Sequence, residues 1–315
     1  MNNSYFISIE SCPACNSTNN NEIYSCEFLK SPIKEYLESF YNPQGRIEFQ
    51  YLEDAEYILM ECKDCELIYQ KQIPNDFLMK KLYEEWIDPE LSRKRKEIGD
   101  NPKHASNLAR EIMMMISYFN RKPKELNFLD FGFGWGAWCL MAKAFGCNSF
   151  GTELSDMKIK HAKSLDIKII NWDEIPNHKF DFINTERVFE HIPKPLETLI
   201  YLKKSLKPNG LIKISVPNCR DIKRRLKKMN WKAPKRSKDS LNAVSPLEHI
   251  NCYTEKSVRM MAVLAGFEIV NIPLYDRIPY VKDIRFLKPL LMYFLKFLKI
   301  FEGNKGIYVF LKQEL

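Results

Sequence analysis

Hydrophobic and polar positions follow two different patterns along the chain. Over residues 77–86 and 105–119 the apolar side chains recur at helical spacing, which predicts two helices. From residue 127 onward, short apolar runs alternate with segments of helical periodicity. This second pattern predicts a series of strands at residues 128–131, 149–152, 167–170, 180–184, 211–216, 267–272 and 306–312.

The alternation of strands and helices predicts an α/β fold, because strands separated by helices pair in parallel and the helices cover both faces of the sheet. We therefore predict a doubly wound, mostly parallel, seven-stranded sheet within residues 126–315. A cysteine-rich module is predicted at residues 1–75, and a helical connector at residues 76–125.

The composition is ordinary for a soluble globular protein. With 315 residues, 45% of them hydrophobic and 28% charged, the chain is long enough for one large core and a smaller module. Because its first residues are polar and no apolar run reaches about 18 residues, we expect no secretory signal and no transmembrane helix. We therefore expect a cytoplasmic protein.

A glycine-rich run begins where the first strand of the α/β region should turn into a helix. After Asp130, glycine occupies every second position, at Gly132, Gly134 and Gly136. Glycines at such a turn let the backbone approach a ligand, and the helix N-terminus offers N–H donors. With Ala137 the run also fits a dinucleotide fingerprint, so a dehydrogenase is one alternative and a ligand-free helix-entry turn is another.

Further acids and motifs favour a cationic cofactor over a dinucleotide. The carboxylate of Asp130 would repel a pyrophosphate, whereas it would attract the ammonium group of a sulfonium cofactor. Glu153 ends the second strand, where it can bind ribose hydroxyls in either class of protein. Asp181 then opens the fourth strand, a glutamate precedes His191, and a Leu-Lys-Pro-Asn-Gly run at 206–210 leads into the fifth strand.

In their order and spacing these motifs resemble class I S-adenosylmethionine-dependent methyltransferases over residues 125–315. The resemblance implies a Rossmann-like methyltransferase sheet with S-adenosylmethionine as cofactor. It implies that Asp130 and the three glycines surround the methionine part and that Glu153 holds the ribose. It also places Trp172 or Asp173 by the adenine and Glu186 in the same pocket.

Two Cys-x-x-Cys pairs mark the N-terminal module. Cys12 with Cys15, and Cys62 with Cys65, supply the four thiolates of a closed, structural zinc site in a zinc-ribbon-like module. Residues 16–61 would then form an insertion, and free or redox thiols are the alternative. Cysteines without this spacing are predicted to be packed thiols: Cys139, Cys147, Cys219 and Cys252.

Two Glu-His pairs are candidates for the acceptor side. His191 and His249 are candidate general bases for an oxygen or nitrogen acceptor, although His191 is equally suited to ordering a loop. The cysteine module resembles that of bacterial sugar methyltransferases, and ribosomal-RNA methyltransferases also carry zinc modules. In sugar C-methyltransferases a Glu-His pair lies in the acceptor site, which implies Glu248 and His249 here. We expect no room for the C-terminal domain of those enzymes, which favours O-methylation of a sugar.

Positive charge is concentrated in one segment. Residues 220–238, predicted as a basic loop, hold ten lysines and arginines against the single acid Asp221. Such a loop would attract an anionic acceptor, namely a nucleotide-sugar, a lipid-linked glycan or RNA, unless it is only a solvated face. A cationic apolar helix predicted at 284–301 would either cap the core or bind the inner membrane face peripherally.

Three functions therefore follow from the sequence. The leading one is methyl transfer to a sugar hydroxyl of a nucleotide-sugar or surface glycan. The alternatives are an RNA methyltransferase and a non-catalytic zinc-containing binding protein with a relict cofactor pocket.

Overall fold

A computed structural model describes residues 5–44, 47–94, 101–235, 237–277 and 306–314. The apolar helix predicted at 284–301 and Arg236 of the basic segment lie outside the described residues. No helix within the described ranges is long and apolar enough to span a membrane.

The secondary structure is numbered in chain order. The strands are β1 (Phe6–Ser8), β2 (Asn20–Glu27), β3 (Glu56–Cys62), β4 (Ile68–Gln70), β5 (Gln72–Pro74), β6 (Asn127–Phe131), β7 (Asn148–Thr152), β8 (Lys168–Ile169), β9 (Phe180–Glu186), β10 (Leu206–Pro217), β11 (Asn251–Cys252), β12 (Phe267–Val270) and β13 (Gly306–Gln313). The helices are α1 (Ile33–Tyr41), α2 (Asp76–Lys81), α3 (Pro89–Lys94), α4 (Pro102–Phe119), α5 (Ala137–Ala144), α6 (Asp156–Ser164), α7 (Pro195–Lys203), α8 (Ile222–Lys228), α9 (Glu255–Leu264) and α10 (Leu274–Arg277).

The chain divides into two compact units. The first unit comprises Met1–Ser92, Arg187–Ile200 and Ser215–Gly266. The second unit comprises Arg93–Glu186, Tyr201–Ile214 and Phe267–Leu315. The first unit thus contains the whole predicted cysteine module, together with two segments from the predicted α/β domain.

The second unit is built on a seven-stranded sheet with the strand order β12-β13-β10-β9-β6-β7-β8. Strand β6 pairs in parallel with β7 on one side and β9 on the other, while β12 and β13 pair antiparallel. This sheet confirms the predicted mostly parallel α/β fold. Because the chain order reverses on either side of β6, ligands of such sheets bind at the carboxyl end of this strand.

Aromatic side chains fill the core of the second unit. Phe128 on β6 and Phe182 on β9 are fully buried, with ring centroids 5.6 Å apart, and Trp138 of α5 packs on both. Burial on both faces of the sheet explains why these strands appear as continuous apolar runs in the sequence. The fifth strand, predicted at 211–216, begins earlier in the structure, at Leu206.

The first unit holds an antiparallel sheet with the order β11-β4-β3-β2 and a two-stranded ribbon of β1 and β5. Its core includes apolar residues of the basic segment. Ile222 and Leu226, one helical turn apart on α8, are buried with Trp231 in this core. The predicted basic loop at 220–238 is therefore wrong in part, because the apolar residues at helical spacing make 222–228 a helix.

Two cysteines that were predicted to be packed thiols meet in the first unit. Cys219 lies just after β10 and Cys252 lies in β11, and their Cα atoms are 5.6 Å apart in a disulfide. The amide of Cys219 donates a hydrogen bond to the carbonyl of Tyr253 at 2.8 Å, which brings the two segments together. The prediction was wrong for this pair because their contact depends on tertiary topology rather than on sequence spacing.

Candidate cofactor and metal sites

The glycine-rich loop between β6 and α5 has a backbone that other residues would strain. Gly132, Gly134 and Gly136 have φ angles of 75°, 58° and 81°, in the left-handed region that favours glycine. The amide of Gly132 donates to the carbonyl of Thr152 at 2.9 Å, and the amide of Gly134 donates to Glu153 Oε2 at 3.0 Å. The loop is therefore fixed to the end of β7.

Glu153 is held at the carboxyl end of the sheet by backbone donors. Besides Gly134, the amides of Leu154 and Ser155 donate to its Oε1 at 2.9 and 3.3 Å. Lys158 Nζ lies 3.8 Å from Oε2. These contacts fix the carboxylate beside the glycine-rich loop, where the predicted ribose-binding acid is expected.

Asp130 lies at the end of β6 and is buried. Asn184 Nδ2 donates to its Oδ1 at 2.7 Å. Burial raises the pKa of Asp130 to about 7, although the hydrogen bond from Asn184 and the charge of Lys213 both oppose this rise. A cationic ligand at this carboxyl would therefore stabilise its ionised form.

Lys213 on β10 is a buried cation that sequence reasoning missed. Its Nζ donates to both carboxylate oxygens of Glu111 at 2.8 and 2.9 Å and to Glu186 at 2.9 Å. Burial alone would lower the pKa of Lys213, but the two carboxylates raise it, so the lysine stays charged. The sequence feature that could have identified it is a lysine inside the apolar run of a central strand. Glu186, a predicted cofactor residue, thus pairs with Lys213.

Trp172 lies against the aromatic residues of the second unit. Its ring stacks on Tyr201, with centroids 4.6 Å apart and planes 7° apart, and lies 5.7 Å from the Phe131 ring. Trp172 is 38% exposed, so part of its ring faces solvent. Asp173 follows in the same exposed turn. Tyr201 was not predicted, because only the fold places α7 beside this turn.

The four cysteines of the two Cys-x-x-Cys pairs come together in the first unit. Cys12 Sγ lies 3.5 Å from Cys65 Sγ, and Cys15 Sγ lies 3.6 Å from Cys62 Sγ. All four sulfur atoms lie within 4.8 Å of one another. Four sulfurs about 2.3 Å from a common zinc ion would be about 3.8 Å apart, so the donor set fits a tetrahedral zinc site.

The two cysteine turns share one backbone geometry. Asn16 and Glu66, which follow the second cysteine of each pair, have φ angles of 60° and 66°. Their amides donate to the carbonyls of Cys12 and Cys62 at 2.7 and 2.9 Å. Burial raises the pKa of Cys15 to about 12, so a bound cation would be needed to hold this sulfur as a thiolate near neutral pH.

The predicted catalytic residues lie together in the first unit. The ring centroids of His191 and His249 are 5.0 Å apart. His191 Nδ1 lies 2.7 Å from the carbonyl oxygen of Glu248 and 2.9 Å from Tyr83 Oη, and His249 Nδ1 bonds the carbonyl oxygen of Asn242. Since a carbonyl only accepts, each Nδ1 carries a proton, and Nε2 carries the lone pair when the ring is neutral.

Burial controls the ionisation of this group. It lowers the pKa of His249 well below 6.5, and the neighbouring His191 adds to the effect. It also raises the pKa of Glu248, whose Oε1 accepts a hydrogen bond from Tyr41 Oη at 3.1 Å. His249 is therefore a neutral imidazole at neutral pH.

Much of the basic segment is paired within the first unit. Arg224 and Lys228 bind Asp239 at 3.1 and 2.9 Å, and Lys223 binds Glu61 at 2.5 Å. These pairs reduce the charge available to an anionic acceptor.

Two lysines of the same segment line a cavity of about 170 Å³, which is walled by aromatic rings. The residues around it include Lys232, Lys235, Tyr36, Phe40 and Trp231.

Comparisons with known proteins agree with the fold. Residues 83–272 match the family described as "Methyltransferase domain". No curated protein matches the chain by sequence. One similar solved structure is that of the plantazolicin methyltransferase BamL in complex with a triazolic desmethylPZN analog and SAH. Its sequence is 15% identical to this chain, and the match covers 76% of this chain and 95% of that chain, with a TM-score of 0.51. Magnesium protoporphyrin IX methyltransferase (ChlM) from Synechocystis PCC 6803, with bound SAH, is 14% identical over 62% of this chain and 91% of that chain, with a TM-score of 0.46.

The family match covers more than half of the chain and includes the glycine-rich loop. It favours a methyltransferase over the dehydrogenase alternative. The chain belongs to the methyltransferase domain family and is an S-adenosylmethionine-dependent methyltransferase.

Proposed function

We propose that the protein methylates a sugar hydroxyl of a nucleotide-sugar or surface glycan. The observation that carries this proposal is the partly buried pair His191 and His249, whose Nδ1 atoms are fixed on backbone carbonyls. A hydroxyl is a weak nucleophile until its proton is removed or its charge is stabilised, so an O-methyltransferase requires groups of this kind. A neutral imidazole near physiological pH meets that requirement.

When bound, the cofactor would supply a methyl group on a positively charged sulfur, which is a good leaving group for transfer of that methyl group to an acceptor oxygen. The residues proposed to bind it are those of the second unit. Asp130 and the amides of the glycine-rich loop would hold the methionine part, and Glu153 the ribose hydroxyls. Trp172, whose stacked ring is partly exposed, would lie against the adenine. Correct alignment contributes most of the catalysis for such a good leaving group.

On the acceptor side, Glu248, His249 and His191 are proposed to act on the hydroxyl group. Glu248 accepts a hydrogen bond from Tyr41, and both histidines are held by backbone carbonyls of the first unit. An anionic acceptor is supported by two lysines of the basic segment, Lys232 and Lys235, which line the cavity described above. Aromatic rings and lysines around one cavity suit a sugar or base that carries phosphate.

We further propose that Cys12, Cys15, Cys62 and Cys65 bind one structural zinc ion. Because all four ligands would come from the protein, the ion would hold the two cysteine turns together and take no part in methyl transfer. Elemental analysis should find zinc in the purified protein and a loss of one equivalent in Cys62→Ser. Zinc retained in full by this variant would contradict the assignment.

The acceptor is testable with methyl-labelled S-adenosylmethionine and a lysate from cells that lack the protein. After incubation, the products are separated into RNA, protein and glycan or nucleotide-sugar fractions. We expect label in the glycan or nucleotide-sugar fraction with the wild-type protein and none with Asp130→Ala. Label confined to the protein fraction would contradict the sugar acceptor.

RNA is the second candidate acceptor, and it is supported by the concentration of lysine and arginine in residues 220–238. This alternative predicts label that ribonuclease removes. It also predicts that reversing charges at Arg224 and Lys228 weakens RNA binding, with a reduced dependence on salt concentration.

A further inference from the structure

We propose that Glu190, His191 and His249 form a second metal site, which binds a divalent transition-metal ion. One ligand atom from each of these three side chains lies within 4.8 Å of the other two. Two imidazoles and one carboxylate are ligands that zinc, iron and similar ions accept together. All three residues belong to the first unit, which also contains the cysteine cluster.

The histidines are oriented as metal ligands are. In each ring the Nδ1 proton is donated to a backbone carbonyl, of Glu248 for His191 and of Asn242 for His249. This bond fixes the tautomer in which Nε2 carries the lone pair. Ligating histidines are commonly held by such a bond, which orients the ring and raises the basicity of the other nitrogen.

The backbone around the three ligands is itself fixed. Asn251 Nδ2 donates to the carbonyl of Ile192 at 2.7 Å, and Tyr253 Oη donates to that of Phe189 at 3.2 Å. Gln70 Nε2 donates to the carbonyl of His249 at 3.1 Å. Side chains from β4 and β11 thus hold both segments that supply ligands, and Glu190 is only 1% exposed.

The three ligand atoms are close enough together to share one ion. Ligand atoms about 2.0–2.2 Å from one ion are at most about 4.4 Å apart, and the three atoms here all lie within 4.8 Å of one another. Three protein ligands leave a coordination position open, unlike the four cysteines, which close theirs.

The role of this ion rests on the proposed function. An acceptor oxygen in the open position would have its pKa lowered, as that of metal-bound water is lowered. His191 and His249 would then act on the acceptor through the ion, and the proton of the acceptor hydroxyl would pass to solvent water. The cysteine site is separate and would only stabilise the first unit.

The test is a metal count on the full-length protein, which needs no acceptor. Chelator-treated protein is titrated with Zn²⁺ and with Co²⁺, and bound metal is measured by calorimetry and elemental analysis. We expect two equivalents for the wild type and one for His249→Ala and Glu190→Gln. His104→Ala, on a histidine of the second unit, is the matched control and should keep two.

The two sites are distinguished by their ligands. Co²⁺ bound to thiolates gives intense charge-transfer absorption, so this band should persist in His249→Ala and disappear in Cys62→Ser. Circular dichroism checks that each variant is folded. A single equivalent in the wild type would overturn the proposal, as would a second equivalent that survives both Glu190→Gln and His249→Ala. Methyl transfer by protein with only one bound metal ion would contradict the second metal site and leave the proposed function intact. His191 and His249 would then act on the acceptor without a metal ion.

Discussion

Burial shifts the pKa values of Asp130 in the second unit and of His249 in the first unit. The charges next to these two residues act differently on the two shifts. In the second unit, the charge of Lys213 opposes the effect of burial on Asp130, and the pKa of the carboxyl reaches about 7. In the first unit, His191 acts in the same direction as burial, and the pKa of His249 falls well below its ordinary value. Asp130 is therefore close to ionisation, while His249 is fixed in its neutral form.

The difference corresponds to two kinds of ligand chemistry. A carboxyl that titrates near pH 7 gains its charge when a cation binds, which suits the ammonium group of a methionine moiety. A neutral imidazole presents a lone pair to a proton or a metal ion. The following predictions test this contrast, from the largest expected effect to the smallest.

Lys213→Met should destabilise the second unit most. It leaves Glu111 and Glu186 without their shared cation. Removing one partner of a fully buried ion pair costs about 3–5 kcal/mol, and the cost here should be smaller because the Glu186 side chain is 41% exposed. Chemical denaturation should report a loss of up to about 3 kcal/mol. Lys213→Arg keeps the charge and should recover part of the stability. Equal stability of Lys213→Met and the wild type would contradict the role of the lysine.

Asp130→Asn should weaken S-adenosylmethionine binding by at least about 30-fold, because losing one partner of a buried charge pair costs about 2–5 kcal/mol. Calorimetry measures the affinity directly. Asp166→Asn, at an exposed acid of the same unit that binds Lys143, is the matched control and should change affinity less than about twofold. Unchanged affinity in Asp130→Asn would show that the pocket is elsewhere.

The pKa of Asp130 predicts a pH dependence with a defined sign. In the folded, cofactor-free protein this pKa is about 7, above the ordinary value of 3.8, so the carboxyl keeps its proton when the unfolded chain has lost it. Its contribution to stability is therefore full below pH 3.8 and decreases as pH rises toward 7. Denaturation between pH 5 and 7.5 should show this decrease in the wild type and not in Asp130→Asn. The same change of unfolding free energy with pH in both proteins would contradict the raised pKa of Asp130.

Cofactor affinity should change with pH in the opposite direction. The ionised carboxyl binds the cofactor, so affinity should rise with pH up to about 7 and then level off, by no more than about tenfold per unit. Binding below pH 7 should release a proton, which calorimetry detects in buffers of different ionisation enthalpy. Affinity that is constant between pH 5.5 and 8 would be inconsistent with this account.

The smallest effect is expected at the aromatic stack. Tyr201→Ala removes the ring on which Trp172 stacks and should weaken cofactor binding about 3- to 10-fold, since such pairs contribute about 0.5–1.5 kcal/mol. Tyr201→Phe keeps the stack and loses only the hydrogen bond to the Trp172 carbonyl, so its affinity should remain near that of the wild type. Equal losses in both variants would assign the effect to the hydroxyl group.

The parts of the molecule that could be predicted depend on local sequence. The alternation of apolar runs predicted the sheet, and the run from Asp130 to Gly136 predicted the loop, because strand, turn and helix follow one another directly. The two cysteine pairs were also recognisable, since each turn is local. Their meeting across 46 intervening residues was predicted only from the chemistry of a four-ligand site.

The remainder depends on contacts that the sequence does not mark. Lys213 meets Glu111 across 102 positions, and a lone lysine in a strand does not indicate its partner. The helix at 222–228 was not predicted. Its many lysines and arginines indicated a basic loop, and the helical spacing of Ile222 and Leu226 was not taken into account. The approach of Cys219 to Cys252 follows from the way β10 and β11 are connected.

The most direct test of the account is to measure cofactor affinity and methyl transfer together in His249→Gln. The account assigns the cofactor to the second unit and action on the acceptor to the first. It therefore predicts an S-adenosylmethionine affinity within about twofold of the wild type, with labelled-methyl transfer reduced by about 10²–10⁴-fold. Unchanged transfer, or a loss of affinity that accounts for the loss of transfer, would contradict it.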